Sequence, residues 1–360
     1  MRRMLITILI FIALIAVLIL VHEAGHFFTA KRAGIKVEEF GFGFPPRMIG
    51  FRRGETVYSL NWIPLGGFVK IFGEEGGDEK DPRSFTSRGA GIRALVIVAG
   101  IAMNLVLAAS LFSIGHMVGL PTIVEGDGDV RSLSKLQINV VEIAKDSPAM
   151  AGGLAIGDVI ARVDGNSFKT VDALRAYILD RRGKELAFEV LHDNAPRTLM
   201  LTPRENPPEG QGPLGFAMVR TGIQKLPWHK AVWQGVEDTF VFSWMLLKAL
   251  GRLFADMVTR GEVSGDVTGP VGIAVLTGRV AKLGIAHLLQ FAAAISVNLA
   301  LINIFPIPAL DGGRLLFILL EKLKGHPVKR STEQRVHQIG FALLLTLMLL
   351  ITVRDVIKLF

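Results

Sequence analysis

The sequence predicts a polytopic α-helical membrane protein with four transmembrane helices, a membrane-associated β-hairpin region and one extracytoplasmic α+β domain. Three observations lead there. Half of the 360 residues are apolar and only 20% are charged, and the mean hydropathy is +0.45, a profile of chains that spend much of their length in lipid. Four apolar runs, about 5–28, 94–118, 285–305 and 336–353, are each long enough to cross a hydrocarbon layer of about 30 Å. Between the second and third runs the composition turns soluble, from Pro121 to about Pro203.

Taken in order, residues 1–30 form the first transmembrane helix, 31–92 a β region with its loop on the cytoplasmic side, and 93–119 the second helix. Residues 120–205 make the α+β domain and 206–283 a linker with an interfacial amphipathic helix. Residues 284–313 form the third helix, 314–335 a cytoplasmic loop, and 336–360 the fourth helix with the C-terminus. Met1-Arg2-Arg3 ahead of an apolar run also fits a signal peptide. The eighteen-residue run Met4 to Val21 exceeds the usual h-region of about 7–15 residues, and no small-x-small site ends it, so an uncleaved span is expected.

The net charge of +8 does not point to nucleic acid, because the basic residues are dispersed among apolar spans instead of clustered with aromatics. Positive membrane loops account for it. Without cysteine the chain has neither disulfides nor thiolate ligands, so any metal must be held by His and carboxylate.

The inner end of the first span reads Val21-His22-Glu23-Ala24-Gly25-His26. Positions i and i+4 share a helix face, so His22 and His26 can hold one Zn²⁺ while Glu23 reaches a water on it. Ionisable groups at the end of a span are costly, about 2.5–3.5 kcal/mol each near the bilayer centre, and point to function. The natural third ligand is Asp311, which follows two prolines at the end of the third span, 285 residues beyond His26. Two His and one Asp leave the fourth position of zinc for water, the pattern of a catalytic site. Glu23 can take that water's proton and deliver it to a leaving amide nitrogen. Peptide-bond hydrolysis inside the membrane is the expected reaction.

Residues 35–72 alternate β-favouring runs with Gly and Pro and read as hairpins. A plain loop with a small sheet is one account. The sharper one is a sheet against the membrane whose edge, at Gly67, Phe68 and Val69, pairs with an extended peptide, since strand addition supplies main-chain bonds without demanding a sequence. The acidic run Glu74 to Glu79 reads as a solvated loop. Asn104, alone among apolar residues of the second span, is either an interhelical hydrogen-bond partner or an active-site contact. Trp228 to Val258 is helical, but its longest charge-free stretch, Thr239 to Leu247, is too short to span, so it is expected to lie in the interface. His116, His192, His229, His287, His326 and His337 have no ligand partner at i+3 or i+4 and are expected at solvated or interfacial positions.

Ser147-Pro148-Ala149-Met150-Ala151-Gly152-Gly153-Leu154-Ala155-Ile156-Gly157-Asp158 resembles the S-P-A-x-x-A-G-L-x-x-G-D pattern of bacterial-type PDZ domains, with Gly152 in place of the usual Ala. That unit implies a peptide-binding groove. Together with His22-Glu23-Ala24-Gly25-His26, Pro64-Leu65-Gly66-Gly67-Phe68-Val69, Thr268-Gly269-Pro270-Val271-Gly272-Ile273-Ala274 and Asn303-x-x-Pro306-x-Pro308-x-Leu310-Asp311-Gly312-Gly313, it resembles the site-2 protease family of intramembrane zinc metalloproteases, in the bacterial regulator-of-sigma-E protease branch. The resemblance runs nearly the whole chain in order. It implies His22, His26 and Asp311 as ligands, Glu23 as catalytic base and Asn303 as a contact to substrate backbone. It implies substrates that are single-span type II membrane proteins, such as anti-sigma factors trimmed outside by another protease or remnant signal peptides. Two departures stand out. The family's G-P-x-x-N motif reads Gly100-Ile101-Ala102-Met103-Asn104 here, without Pro, and this chain has room for one PDZ domain where many members carry two.

Residues 27–93 hold eleven Lys or Arg and residues 312–335 hold six, which by the positive-inside rule puts both active-site span ends near the cytoplasm of a bacterial inner membrane and the PDZ unit outside. Arg2 and Arg3 pull the other way. Two other functions would use parts of the same residue pattern: a membrane metal transporter, which has no need of Glu23 or the strand region, and a non-catalytic scaffold using the PDZ unit.

Overall fold

The computed structural model describes residues 2–74, 80–124, 133–192, 195–208, 210–260, 269–326 and 328–357. Most of the acidic run, Glu75 to Glu79, and Thr268 lie outside them. Contacts divide the chain into two units, Met1–Ile114 with His229–Phe360, and Gly115–Trp228.

The first unit begins with α1 (Arg2–Arg32), β1 (Val37–Arg53), β2 (Thr56–Ile71) and α2 (Ala90–Val118), whose last residues belong to the second unit. Among the described residues four helices are long and apolar enough to cross a membrane: Met4–Arg32, Ala90–Val118, Ile285–Ile304 and Ser331–Ile357, matching the four apolar runs. α1 and α2 pack closely because each has a glycine at the crossing. A Cβ on Gly25 would lie 2.3 Å from the Ala99 carbonyl oxygen, and one on Gly100 would lie 2.2 Å from His26 Nε2.

β1 and β2 turn at Gly54, where φ is +64°, and both strands bend. Residues 39–42 register with Lys70 to Gly67 on one side and with Val57 to Leu60 on the other, while residues 47–53 pair with Asn61 to Thr56. The short hairpins expected are therefore two long bent strands. The prolines at 45 and 46 sit at the bend of β1, where a missing N–H interrupts no ladder bond. The sheet is anchored by a buried cluster of Phe27 and Ala30 from α1, Ile35, Val37, Ile71, and Val96 and Ile97 from α2, with Leu315 and Ile318 packed on it.

After the second unit come α5 (Trp228–Arg260), α6 (Pro270–Leu283), α7 (Ile285–Ile304), α8 (Asp311–Lys324) and α9 (Arg330–Ile357). Ala293 and Val297 of α7 and Ala108 and Phe112 of α2 form a buried cluster with Phe242 of α5 against it; small residues allow the close approach that membrane helices need. Two assignments change. Residues 270–274, inside the stretch 206–283 expected as a linker with an interfacial helix, open the separate helix α6, whose Gly272 N–H donates to the buried Asp355 carboxylate of α9 at 2.7 Å. Residues 314–335 are not simply a loop. The chain breaks after Ile304, and Asp311 begins a new helix, because the prolines at 306 and 308 cannot continue the old one.

The second unit holds β3 (Leu120–Ile123), β4 (Leu133–Ile143), α3 (Pro148–Ala151), β5 (Val159–Val163), α4 (Val171–Asp180), β6 (Leu186–His192), β7 (Ala195–Leu201) and β8 (Phe216–Gln224). The strands form one antiparallel sheet in the order β3-β8-β4-β5-β6-β7. The domain extends beyond 205: β8, which follows the Pro-rich stretch, returns between β3 and β4. Leu174 and Ile178 of α4 complete a core with Ile138, Val140 and Phe188. The S-P-A motif is a cap: Ser147 Oγ accepts from Met150 N–H at 3.1 Å with Pro148 at the first helical position. At Gly152 a Cβ would meet a Leu201 methyl at 2.1 Å, so a larger residue there needs that side chain to turn aside.

Candidate active site

α1 places His22, Glu23 and His26 on neighbouring positions of one helix. The two imidazoles are one turn apart and 7% and 8% exposed, with ring centroids 4.8 Å apart and planes nearly perpendicular. Asp311 is the first residue of α8. The turn before it carries Ala309 at φ +78°, a conformation uncommon outside glycine, and the Ala309 N–H donates to His337 Nδ1 of α9 at 2.9 Å. The Gly pair after Asp311 gives α8 room to approach the end of α7: a Cβ on Gly312 would lie 2.1 Å from the Phe305 carbonyl oxygen, and one on Gly313 would lie 2.5 Å from that of Ile307. Those glycines let Asp311 reach the histidines.

His22 Nε2 and His26 Nε2 lie 3.1 and 3.3 Å from Asp311 Oδ2 and 3.2 Å from each other. Ligands about 2.0–2.1 Å from a tetrahedral zinc stand about 3.3 Å apart, so the three atoms have the spacing of one face of such a site. Asp311 Oδ2 is shielded from water and makes no well-formed hydrogen bond, an unsatisfied state that a cation would relieve. Among the described residues this is the one group of three or more potential metal ligands. The residues fit zinc.

α2 backs the two histidines with one face. His26 Nδ1 donates to the Val96 carbonyl oxygen at 2.9 Å, which fixes the proton on Nδ1 and leaves Nε2 free for a metal. Gly100, one turn on, clears space for that ring. Asn104, a further turn on and fully buried, has its amide 3.3 Å from His22 Nδ1. Ser296 of α7 donates to the Asn104 carbonyl oxygen at 2.7 Å.

A cavity of about 560 Å³ is lined by His22, Glu23, His26 and Asp311, and also by β2 from Gly67 to Ile71. Gly67 packs so closely on α1 that a Cβ would lie 2.9 Å from Ile19 Cγ2 and 3.4 Å from Glu23 Cγ. Glu74, in the turn after β2, pairs with Arg314 of α8 in the same cavity wall, and this carboxylate raises the Arg314 pKa still further.

The structure thus brings together His22, Glu23, His26, Asp311, Gly67, Phe68 and Val69. Asn104 sits behind His22 and not in the cavity wall, and Asn303, partly buried near the end of α7, does not line the cavity either. Sequence reasoning missed the Val96 carbonyl and Ser296; a backbone oxygen has no residue signature. It also misplaced His116, which is buried. His192, partly exposed, has its Nδ1 2.6 Å from the buried Asp158 carboxylate, and the partly exposed His337 accepts from the Ala309 N–H.

The model of peptidase family M50 matches residues 10–347. The zinc metalloprotease RasP of Geobacillus kaustophilus is 30% identical over 434 aligned residues, covering 98% of each chain. The regulator of sigma-W protease RasP of Bacillus subtilis is 29% identical, covering 98% of this chain and 99% of its own. Among solved structures, the PDZ domain of an SdrC-like protein of Listeria innocua matches 23% of this chain and 92% of its own at 26% identity, with a TM-score of 0.21. With a family match along nearly the whole chain and a ligand set that fits its metal, the protein belongs to peptidase family M50 and is an intramembrane zinc metalloprotease.

Proposed function

We propose that the chain cleaves peptide bonds within transmembrane segments of single-span membrane proteins, which it holds as an extended strand along Gly67 to Ile71. One observation carries this: the β2 edge and the His22, Glu23, His26 and Asp311 cluster line the same cavity. Among the described residues, β2 from 67 to 70 pairs with β1 on one side only.

A helix must open before its backbone is cut, and unpaired N–H and C=O groups at membrane depth cost several kcal/mol each. The β2 edge offers replacement bonds to an unwound stretch and aligns its carbonyl with the ligand cluster. His22 Nε2, His26 Nε2 and the Asp311 carboxylate hold the zinc. Zinc held there supplies a Lewis acid that polarises the scissile carbonyl and makes water nucleophilic near neutral pH. The Glu23 carboxylate receives the attacking water's proton and returns it to the leaving amide nitrogen. By family likeness, Asn303 contacts the substrate backbone when substrate enters.

The lysine and arginine distribution supports a cytoplasm-facing active site in a bacterial inner membrane, with the 115–228 unit outside as a PDZ domain that binds peptide or restricts access by size. Substrates by family likeness are anti-sigma factors or remnant signal peptides. The test uses proteoliposomes holding the full chain and a single-span reporter. Glu23→Gln should lower cleavage by about 10²–10⁴-fold while zinc content stays at one per chain. Cleavage unaffected by that change would overturn the proposal, and zinc uptake that survives it would favour a transporter.

A further inference from the structure

We propose that Asn104 is a positioning residue of the metal centre: its side-chain oxygen accepts the Nδ1 proton of His22 and so keeps the Nε2 lone pair of that ring turned toward the metal. The inference rests on the zinc ligand set proposed above and adds a residue to it.

A neutral imidazole has one proton for two nitrogens, so a ring that ligates through Nε2 carries its proton on Nδ1. That N–H, buried here, needs an acceptor, because an unsatisfied buried donor bears its full desolvation cost. His26 meets the requirement with the Val96 carbonyl. For His22 the group facing Nδ1 is the Asn104 amide, 3.3 Å away.

The structure places the NH₂ end of that amide toward the ring, while Asn104 Oδ1 is buried with no hydrogen-bond partner. The two ends of an amide exchange by a half-turn with almost no change of shape, and their assignment is a matter of the hydrogen-bond network. With the proton on Nδ1, an NH₂ there sets two donors against each other. After the half-turn Oδ1 accepts from Nδ1–H, and the NH₂ takes the position the oxygen held. One unpartnered polar group remains in either case, but the donor–donor opposition is gone.

Three features separate this role from a substrate contact. Asn104 is fully buried and is not part of the cavity wall. It lies on the same α2 face as Val96 and Gly100, at four-residue spacing, so one helix face serves both histidines. Its backbone is tied to α7 by Ser296, which is also fully buried. Partners of this kind typically change metal affinity or activity about 10–100-fold when removed.

The experiment measures zinc retention by the full-length purified chain against a titrated chelator, with kcat and KM for a single-span reporter at saturating zinc. Asn104→Leu, which removes the acceptor, should release zinc at about 10–100-fold less chelator than the wild type, with KM within about twofold. Asn104→Asp, an acceptor in every orientation, should hold zinc at least as tightly as the wild type. Zinc retention by Asn104→Leu within twofold of wild type overturns the proposal, and so does a raised KM with normal zinc, which would make Asn104 a substrate contact. If the leucine variant does not fold, the aspartate variant decides alone: a tenfold loss of zinc overturns the proposal, and wild-type retention or better upholds it. His22→Ala is the control for the ligand set. If it retains zinc as the wild type does, the ligand assignment has failed, which is a different result from failure of Asn104→Leu.

Discussion

His22 and His26 come from the interior of a long helix already packed against α2, whereas Asp311 comes from the first residue of a short helix reached through a turn with two prolines and a left-handed Ala309. The histidine side is backed by a main-chain carbonyl and an amide on one face of α2. On the aspartate side, Oδ2 has no well-formed hydrogen bond, and what positions the carboxylate is clearance: two glycines that let α8 press on the carbonyls of residues 304–307. The difference teaches that the two halves fail differently. Losing support on the α2 side disturbs ring orientation, and losing clearance on the α8 side moves a ligand bodily.

The largest expected effect comes from breaking either side outright. His26→Ala and Asp311→Ala should each remove zinc and abolish reporter cleavage, whereas Glu23→Gln should lower cleavage by about 10²–10⁴-fold with zinc retained; metal analysis beside the cleavage assay separates the two. Next come the glycines. Gly312→Ala drives a Cβ into backbone, which cannot swing aside, and should lower stability by about 1–3 kcal/mol along with zinc content. Gly100→Ala meets the tip of a side chain instead, so it should cost zinc affinity with a smaller change in melting temperature. Equal melting temperatures for the two variants would remove the contrast drawn between the halves.

Third, Phe68→Pro or Val69→Pro should reduce cleavage about tenfold with normal zinc, because proline removes a backbone donor from the edge strand. Unchanged cleavage by both would dismiss the strand role. The smallest effect is expected for Arg314→Ala. Its pair with Glu74 is partly exposed on the arginine side, so stability should fall by no more than about 1 kcal/mol and zinc should be unchanged. A loss of zinc there would mean that the ion pair, and not the glycine clearance, holds Asp311.

How much was legible beforehand follows from the range over which each signal acts. The four spans were readable because crossing a bilayer imposes a length on a continuous run, and the bounds agree to within a few residues for α1 and α2. The break at residue 304 was marked by prolines, but not that a new helix begins at Asp311. β8 was hidden behind a Pro-rich stretch that looks like a linker, after which the chain returns to the sheet. His192 gave no local sign because its partner, Asp158, is a sheet neighbour distant in sequence.

By itself the sequence determined the chemistry available: two imidazoles and a carboxylate on one face of an apolar helix, no thiol to compete, and an aspartate at another span end. Those follow from helical period and composition, which are local. Only the tertiary structure decided that the third ligand lies 3.1 and 3.3 Å from the other two, that the β2 edge shares their cavity, and that Asn104 stands behind His22 instead of facing the cavity. These depend on where glycines let backbones touch and on which way an amide or a carbonyl points, and no spacing along a single chain carries that information.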